Sequence, residues 1–174
     1  MTDPSIAKQT PAKPGSFSDP LRKVYRESFV ANPAHFQSLI SHDTALLCID
    51  IQYLDAAEGF GVFADAETSG VPVEGREHYF SALKHQVFPN VRKIQDAFRQ
   101  NNLEVIHTRI QSLTRDGRDR GTGHKRLGLL APPDSKEAEF IESVAPIGDE
   151  IVINKTASGV FTSTNFHYVL KNLG

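Results

Sequence analysis

Two side chains that could act together in catalysis each follow an apolar run of the sequence. Asp50 comes after Ala45-Leu-Leu-Cys-Ile49, and Lys155 comes after Ile151-Val-Ile-Asn154. Apolar runs of this length are typical of strands that are covered on both faces, as in a parallel sheet. Ligands of open parallel sheets bind at the carboxyl ends of the strands. A carboxylate and an ammonium at that edge are what an acyl-transfer enzyme would use to activate a thiol.

Each of these two residues also has an ordinary structural interpretation. Asp50 could cap a loop or a following helix, and Lys155 could extend along apolar surface to reach solvent. A buried carboxylate without a partner costs several kcal/mol, so a strand-end Asp and a strand-end Lys at one sheet edge would neutralise each other. Such a pair is either a structural ion pair or part of a site, and its position at this edge favours a site.

The elements around these residues alternate between strand and helix. Strands are predicted at 45–51, 103–110 and 151–154, and helices at 76–102, 137–144 and 164–173, with Pro89 dividing the first helix. This order predicts a three-layer α/β/α fold with a doubly wound parallel sheet. Sheets of this class usually have about five or six strands. We therefore expect an incomplete domain whose C-terminal strands are absent from this chain.

Composition limits the organisation and the partners of the chain. We expect a flexible tail over 1–18, a lead-in helix and loop over 19–43, and the α/β domain over 44–174. The formal net charge of −2 argues against nucleic acid as a partner. No apolar stretch approaches the roughly 20 residues that cross a bilayer, so no membrane partner is expected. The single cysteine fits a reducing compartment, and the protein is expected to be cytoplasmic.

Several segments resemble the isochorismatase-like cysteine hydrolases. The resemblance extends from about Thr44 to Gly174 and is greatest to ureidoacrylate and N-carbamoyl amidohydrolase-type members. The segments that support it are Ala45-Leu-Leu-Cys-Ile-Asp-Ile-Gln52, Val105-Ile-His-Thr-Arg109, Ile110-Gln-Ser-Leu-Thr-Arg-Asp-Gly-Arg-Asp119 and Val152-Ile-Asn-Lys-Thr-Ala-Ser-Gly-Val-Phe161. Each segment alone is modest evidence, and their order and spacing together make the match specific.

The resemblance implies a hydrolase that cleaves a C–N bond in a small linear amide or ureide through an Asp-Lys-Cys triad. Asp50 matches the aspartate of that triad and Lys155 matches the lysine. The family's cysteine follows the next strand, whereas no cysteine follows Lys155 here. We therefore expect the 174-residue chain to be inactive alone, and the full-length form to be a homo-oligomer. The alternative is an inactive fragment or pseudoenzyme that acts as a binding module.

Cys48 is the one thiol of the chain, and we expect it to be a packing residue. Two residues before Asp50, it should share a strand face with that carboxylate but lie nearly 7 Å deeper, at about 3.3 Å per residue. A neutral thiol among leucine and isoleucine side chains is a poor nucleophile.

The substrate pocket is predicted to include Gln52, Tyr53, Arg109 and Phe161. The first two follow the strand that ends near Asp50, and Arg109 ends the adjacent strand, where it could bind a substrate carboxylate. An ion pair of Arg109 with Asp116, Asp119 or another loop acid is an equal alternative, and Phe161 could instead be a core aromatic residue at a helix start.

No metal and no other cofactor is expected. The segment after the second strand lacks the Asp-x-His pattern of the family's metal-binding members. His107 falls inside a strand, and His124 is alone in a loop, which is a poor basis for a metal site.

Overall fold

The structure is a computed structural model that describes residues 23–25, 27–28, 43–65, 67 and 69–174. The chain divides into two compact units, residues 1–38 and 39–174. In the first unit the described residues are helical, and Lys23 and Glu27 form an i,i+4 ion pair at 3.8 Å. The predicted tail over 1–18 and almost all of the predicted loop before Thr44 lie outside the described residues.

The second unit is built on three parallel strands, which confirms the predicted α/β class. Strand β1 is Ala45–Ile49, β2 is Glu104–Ile110 and β3 is Ile151–Lys155. Their spatial order is β1-β2-β3, so β2 is central. Residue 47 is aligned with residue 106, and residue 110 with residue 155. This register brings the carboxyl ends of all three strands to one edge.

The chain passes from β1 to β2 through three helices. Helix α1 is Tyr53–Ala56, α2 is Val73–Ala82 and α3 is Phe88–Gln100. A π-helical turn at Leu83–Val87 joins α2 to α3, and Pro89 lies in the first turn of α3. Proline has no backbone N–H to donate, so the helix is interrupted just before it, as the sequence predicted.

The rest of the chain contains short helices and two longer connections. Helix α4 is Thr122–Arg126, α5 is Val160–Ser163 and α6 is Phe166–Leu173. The predicted helix over 137–144 is wrong, because two 3₁₀ turns, Lys136–Ala138 and Glu142–Val144, replace it. Between these turns Phe140 forms an antiparallel bridge with Gln52, which requires extended backbone. No helix in the described part of the chain is long and apolar enough to cross a membrane.

Helices cover both faces of the sheet, as the three-layer prediction requires. On one face, here called the lysine face, Ile106, Thr108 and Ile110 of β2 lie beside Ile153 and Lys155 of β3. Phe166 of α6 packs against this face with Ile106 and Ile153, and all three are buried. The other face, here called the histidine face, contains Cys48 of β1 and Val105, His107 and Arg109 of β2.

A charged network stabilises the histidine face at the start of β3. Two nitrogens of the Arg99 guanidinium, Nε and Nη2, donate to Glu150 at 2.7 and 3.0 Å, which holds α3 against the strand that follows Glu150. His107 Nε2 lies 3.0 Å from the same carboxylate, and the backbone N–H of Ile147 donates to it at 3.0 Å. Burial raises the pKa of Glu150, but these hydrogen bonds outweigh it and leave that pKa at about 2.

We predict that Glu150→Gln lowers the free energy of unfolding at pH 7 by about 2–4 kcal/mol, because Arg99 loses a partly buried, bidentate partner. The folded pKa of Glu150 lies below its ordinary value of 4.5, so its contribution is complete above pH 4.5 and is lost as pH falls towards 2. Urea denaturation of both proteins between pH 2.5 and 7 measures this difference. Asp149→Asn, at the exposed neighbouring acid, is the control and should change little. An unchanged unfolding free energy for Glu150→Gln at pH 7 would contradict the prediction.

Candidate active site

Asp50 lies directly after β1 in a backbone conformation that few residues adopt. Its φ is +55°, in the left-handed region, and its N–H donates to the carbonyl of Thr108 at 3.0 Å. The Thr108 hydroxyl donates to Asp50 Oδ1 at 3.1 Å. The positive φ therefore directs the carboxylate towards the lysine face. Our expectation that Asp50 shares a strand face with Cys48 is wrong, because β1 ends at Ile49 and the pleat does not continue through Asp50.

Lys155 is the last residue of β3, and its side chain is only 1% exposed. Its ammonium Nζ lies 2.6 Å from Asp50 Oδ2, 3.2 Å from the carbonyl oxygen of Ser158 and 3.5 Å from that of Ala157. An ammonium has three protons to donate, and these three oxygens can accept them. The predicted ion pair across the sheet edge is thus present, and the alternative of a lysine extending into solvent is wrong.

The loop that accepts from Lys155 is fixed by a second loop. His124 Nε2 lies 3.2 Å from the Ser158 hydroxyl, and the N–H of Gly121 donates to the carbonyl of Thr156 at 2.9 Å. A Cβ on Gly121 would be 2.9 Å from the Cβ of Ala157, so only glycine permits this approach. Burial, followed by the charge of Lys155, lowers the pKa of His124. The imidazole is therefore neutral at pH 7 and adds no second positive charge beside Lys155.

The sequence analysis missed this role of His124, and it also missed Asp55. Asp55 lies on α1, five residues after Asp50, and its oxygen Oδ2 is buried. Burial, followed by the charge of Asp50, raises the pKa of Asp55 to about 6. A carboxyl so close in sequence to Asp50 was a visible signal, although its burial was not.

Gln52 lies in the interior of the second unit. It is 0% exposed. Its Nε2 donates to the carbonyls of Ile110 and Glu137 at 2.9 and 2.8 Å, and its Oε1 accepts from the N–H of Ile110 at 2.5 Å. The pocket role of Gln52 stays a prediction. Its amide ties the end of β1 to the end of β2 and to the 3₁₀ turn at Lys136–Ala138.

Arg109 and Tyr53 lie together but apart from the Asp50–Lys155 pair. Arg109 is on the histidine face, where it donates to Asn154 Oδ1 at 2.7 Å and to the carbonyl of Ala138 at 3.0 Å. Its hydrogen-bond partners are therefore neutral, and the loop acid Asp134 acts on the guanidinium only through its charge. Tyr53 has Lys136 Nζ 4.0 Å from its ring centre. Both residues line a surface groove of about 490 Å³. The structure does not bring either one to the carboxylate of Asp50.

Phe161 is 59% exposed, and its ring centre lies 5.3 Å from that of Phe166. It lines a mostly apolar cavity of about 380 Å³ that is bordered by Thr44, Ala45 and Glu104. These three residues mark the amino-terminal ends of β1 and β2, opposite the edge where Asp50 lies. The exposure of Phe161 does not fit a core aromatic residue, and its role in a substrate pocket stays a prediction.

Cys48 has the surroundings of a packing residue. It is 6% exposed on the histidine face, and Gln95 Nε2 of α3 lies 3.5 Å from its Sγ. Burial raises the pKa of the thiol, which disfavours the thiolate. The ion pair of Asp50 and Lys155 lies on the other face of the sheet. Within the described residues no three His, Cys, Asp or Glu side chains are grouped so that they could hold a metal ion.

Comparison with known proteins identifies the class. The model of the family described as "Isochorismatase domain" matches residues 44–174, and the chain belongs to this family. An N-carbamoylsarcosine amidase from Arthrobacter sp. is 30% identical over 92 residues, which are 48% of this chain and 34% of the amidase.

Solved structures show the same fold. A cysteine hydrolase from Pseudomonas syringae pv. phaseolicola 1448A is similar with a TM-score of 0.55 and 22% identity, over 79% of this chain and 57% of that one. An N-carbamoylsarcosine amidase from Thermoplasma acidophilum gives a TM-score of 0.50 and 18% identity, over 74% of this chain and 60% of that one. The chain thus spans less than two thirds of the length of each of these three relatives.

We predict that Asp50→Asn destabilises the fold by about 3–5 kcal/mol, because Lys155 keeps a buried ammonium without a carboxylate. Asparagine tolerates the left-handed backbone, so the loss reports on the charge and not on strain. The double variant Asp50→Asn with Lys155→Met should be less destabilised than the sum of the two single variants. A double-mutant cycle by urea denaturation measures this coupling. Additive effects of the two substitutions would show that the pair does not interact.

Proposed function

We propose that this chain belongs to a hydrolase that cleaves a C–N bond in a small linear amide or ureide. The observation that supports this proposal most is the ion pair of the buried Lys155 Nζ with Asp50 Oδ2, 2.6 Å apart. It lies at the carboxyl edge of a parallel sheet, the edge at which such folds bind ligands. A purely structural ion pair would gain nothing from this location or from the strained φ of +55° at Asp50.

The proposed chemistry uses Asp50 as the proton carrier and Lys155 as a fixed positive charge. Asp50 takes the proton of a thiol, and the thiolate adds to the carbonyl carbon of the substrate. Asp50 then protonates the leaving nitrogen, so that ammonia or an amine departs and a thioester remains. A water molecule, deprotonated by Asp50, attacks the thioester and releases the acid and the thiol. Lys155 stabilises the ionised form of Asp50 whenever the proton is elsewhere.

The thiol of this mechanism is proposed to come from outside residues 1–174. Cys48 cannot supply it without leaving its contact with Gln95 and crossing to the other face of the sheet. The similar cysteine hydrolase from Pseudomonas syringae is longer than this chain, which covers 57% of it. The substrate class is suggested by the Arthrobacter relative, which is named for its action on N-carbamoylsarcosine.

The alternative is a binding module without catalysis. It is supported by the outer edge of β1, which pairs with no further strand among the described residues and where Ile49 is 57% exposed. An apolar edge strand is a template for pairing with another chain. The assay below distinguishes the two functions.

We predict that the protein, as its complete gene encodes it, releases ammonia or an amine from N-carbamoyl amino acids, ureides or primary carboxamides. Asp50→Asn and Lys155→Met should each lower kcat/KM by about a thousandfold or more, because proton transfer and thiolate activation are lost together. The matched control is Lys171→Met, at an exposed lysine of α6, which should keep full activity.

Two further measurements test the source of the thiol. Iodoacetamide should inactivate the enzyme, and Cys48→Ala should remain both active and sensitive to iodoacetamide. Loss of activity in a folded Cys48→Ala variant would assign the nucleophile to Cys48 and overturn the proposed mechanism. Absence of ammonia release from every substrate would favour the binding module.

A further inference from the structure

Asp55 is a second carboxyl group beside the Asp50–Lys155 pair. It lies on α1, whose neighbouring residues Leu54 and Ala56 are buried in the core. Its own backbone carbonyl accepts a hydrogen bond from the Tyr79 hydroxyl at 2.9 Å. Tyr79 is in turn stacked on Phe63, with ring centres 5.2 Å apart. These contacts hold the backbone of Asp55 in place, and in this arrangement its Oδ2 is buried.

The carboxyl of Asp55 has an unmet hydrogen-bonding requirement. Its oxygen Oδ2 is buried and has no partner among the described residues. Nearly all buried polar atoms in folded proteins have a partner, so an exception needs a physical reason. One such reason is that the partner is a ligand. We favour a ligand as the missing partner of Asp55 Oδ2, because Asp55 lies near the proposed reaction centre.

Asp55 is also close enough to the pair for the charges of Asp50 and Lys155 to act on its carboxyl group. The negative charge of Asp50 disfavours its ionisation, and the positive charge of Lys155 favours it. Lys155 already has Asp50 and two backbone carbonyls as acceptors, so it has no proton left to donate to Asp55. The charges of Asp50 and Lys155 thus both act on Asp55, yet neither residue forms a hydrogen bond with its Oδ2.

We infer that Asp55 is a specificity-determining residue, whose carboxylate accepts hydrogen bonds from N–H groups of a ureide or carboxamide substrate. This inference rests on the proposed function and deepens it by assigning the contact that selects the substrate. Two parallel N–H groups of a ureide match the two oxygens of a carboxylate. A site built for such donors rejects analogues that lack them, because its buried acceptor is then left without a partner.

Binding of such a ligand must also change the protonation of Asp55. The free carboxyl has a pKa of about 6, raised by burial and by Asp50. N–H donors stabilise the ionised form, so a bound ureide lowers this pKa. By linkage, the ligand binds more tightly above pH 6 than below it.

The test compares two probes of similar carbonyl chemistry, N-methylurea, which has N–H donors, and tetramethylurea, which has none. Their dissociation constants are measured by NMR at pH 7.5 for the complete protein and for Asp55→Asn, whose side chain is matched in size but uncharged. We expect Asp55→Asn to weaken N-methylurea binding about tenfold or more, and to leave tetramethylurea binding within about twofold. The control is Glu58→Gln, at an exposed acid three residues further on, which should bind both probes as the wild type does.

A second measurement is the titration of the Asp55 side-chain ¹³C resonance. Its midpoint should lie near pH 6 in the free protein and fall when N-methylurea is added, but not with tetramethylurea. Equal weakening of both probes in Asp55→Asn would show a merely structural role and overturn the inference, as would unchanged N-methylurea binding. Failure of the proposed function is a separate result, because it would appear as no ammonia release by the wild type while the selective binding of N-methylurea persists.

Discussion

The fold of this chain depends on one electrostatic constraint, which is that a fully buried ammonium must have acceptors at the edge of the sheet. An isolated charge in a protein interior costs several kcal/mol or more, so Lys155 is tolerable only with its carboxylate and two carbonyls in place. The carboxylate comes from β1 and the ammonium from β3, on either side of β2. Strand order and register must therefore be correct before the pair can form. The ion pair in turn stabilises only that order and register of the three strands.

The constraint also explains why Asp50 is strained. A regular pleat would place its side chain on the same face as Cys48, away from Lys155. The left-handed φ of +55° redirects the carboxylate to the lysine face, at a cost of about 1–2 kcal/mol. Hydrogen bonds to the backbone and hydroxyl of Thr108 help to offset this cost. Aspartate is among the few residues that tolerate this conformation, so one residue satisfies both the backbone and the chemistry.

Much of this arrangement could be predicted from the sequence, because local patterns determine it. The apolar runs before Asp50 and Lys155 predicted parallel strands, and Pro89 predicted the interruption between α2 and α3. The roles of Gln52, Arg109 and His124 could not be predicted in this way, since they depend on contacts between distant segments. The hydrogen-bond partners of Gln52 are Ile110 and Glu137, which lie 58 and 85 positions further along the chain. The partner of His124 is Ser158, which lies 34 positions further along. The helix expected over 137–144 failed for the same reason, because Phe140 pairs with Gln52.

The two faces of the sheet differ in how their charged groups are paired. On the histidine face Arg109 is matched by Asn154 and Ala138, and Glu150 by Arg99, His107 and Ile147, so the charged groups there have partners. One neutral oxygen on this face, Gln95 Oε1, is buried without a partner among the described residues. On the lysine face the ammonium of Lys155 is paired with Asp50, whereas Asp55 Oδ2 has no partner among the described residues. When it is ionised, Asp55 adds a second negative charge near Lys155. Such an imbalance is costly in a scaffold, and it is useful where a proton must move or an N–H donor must be recognised.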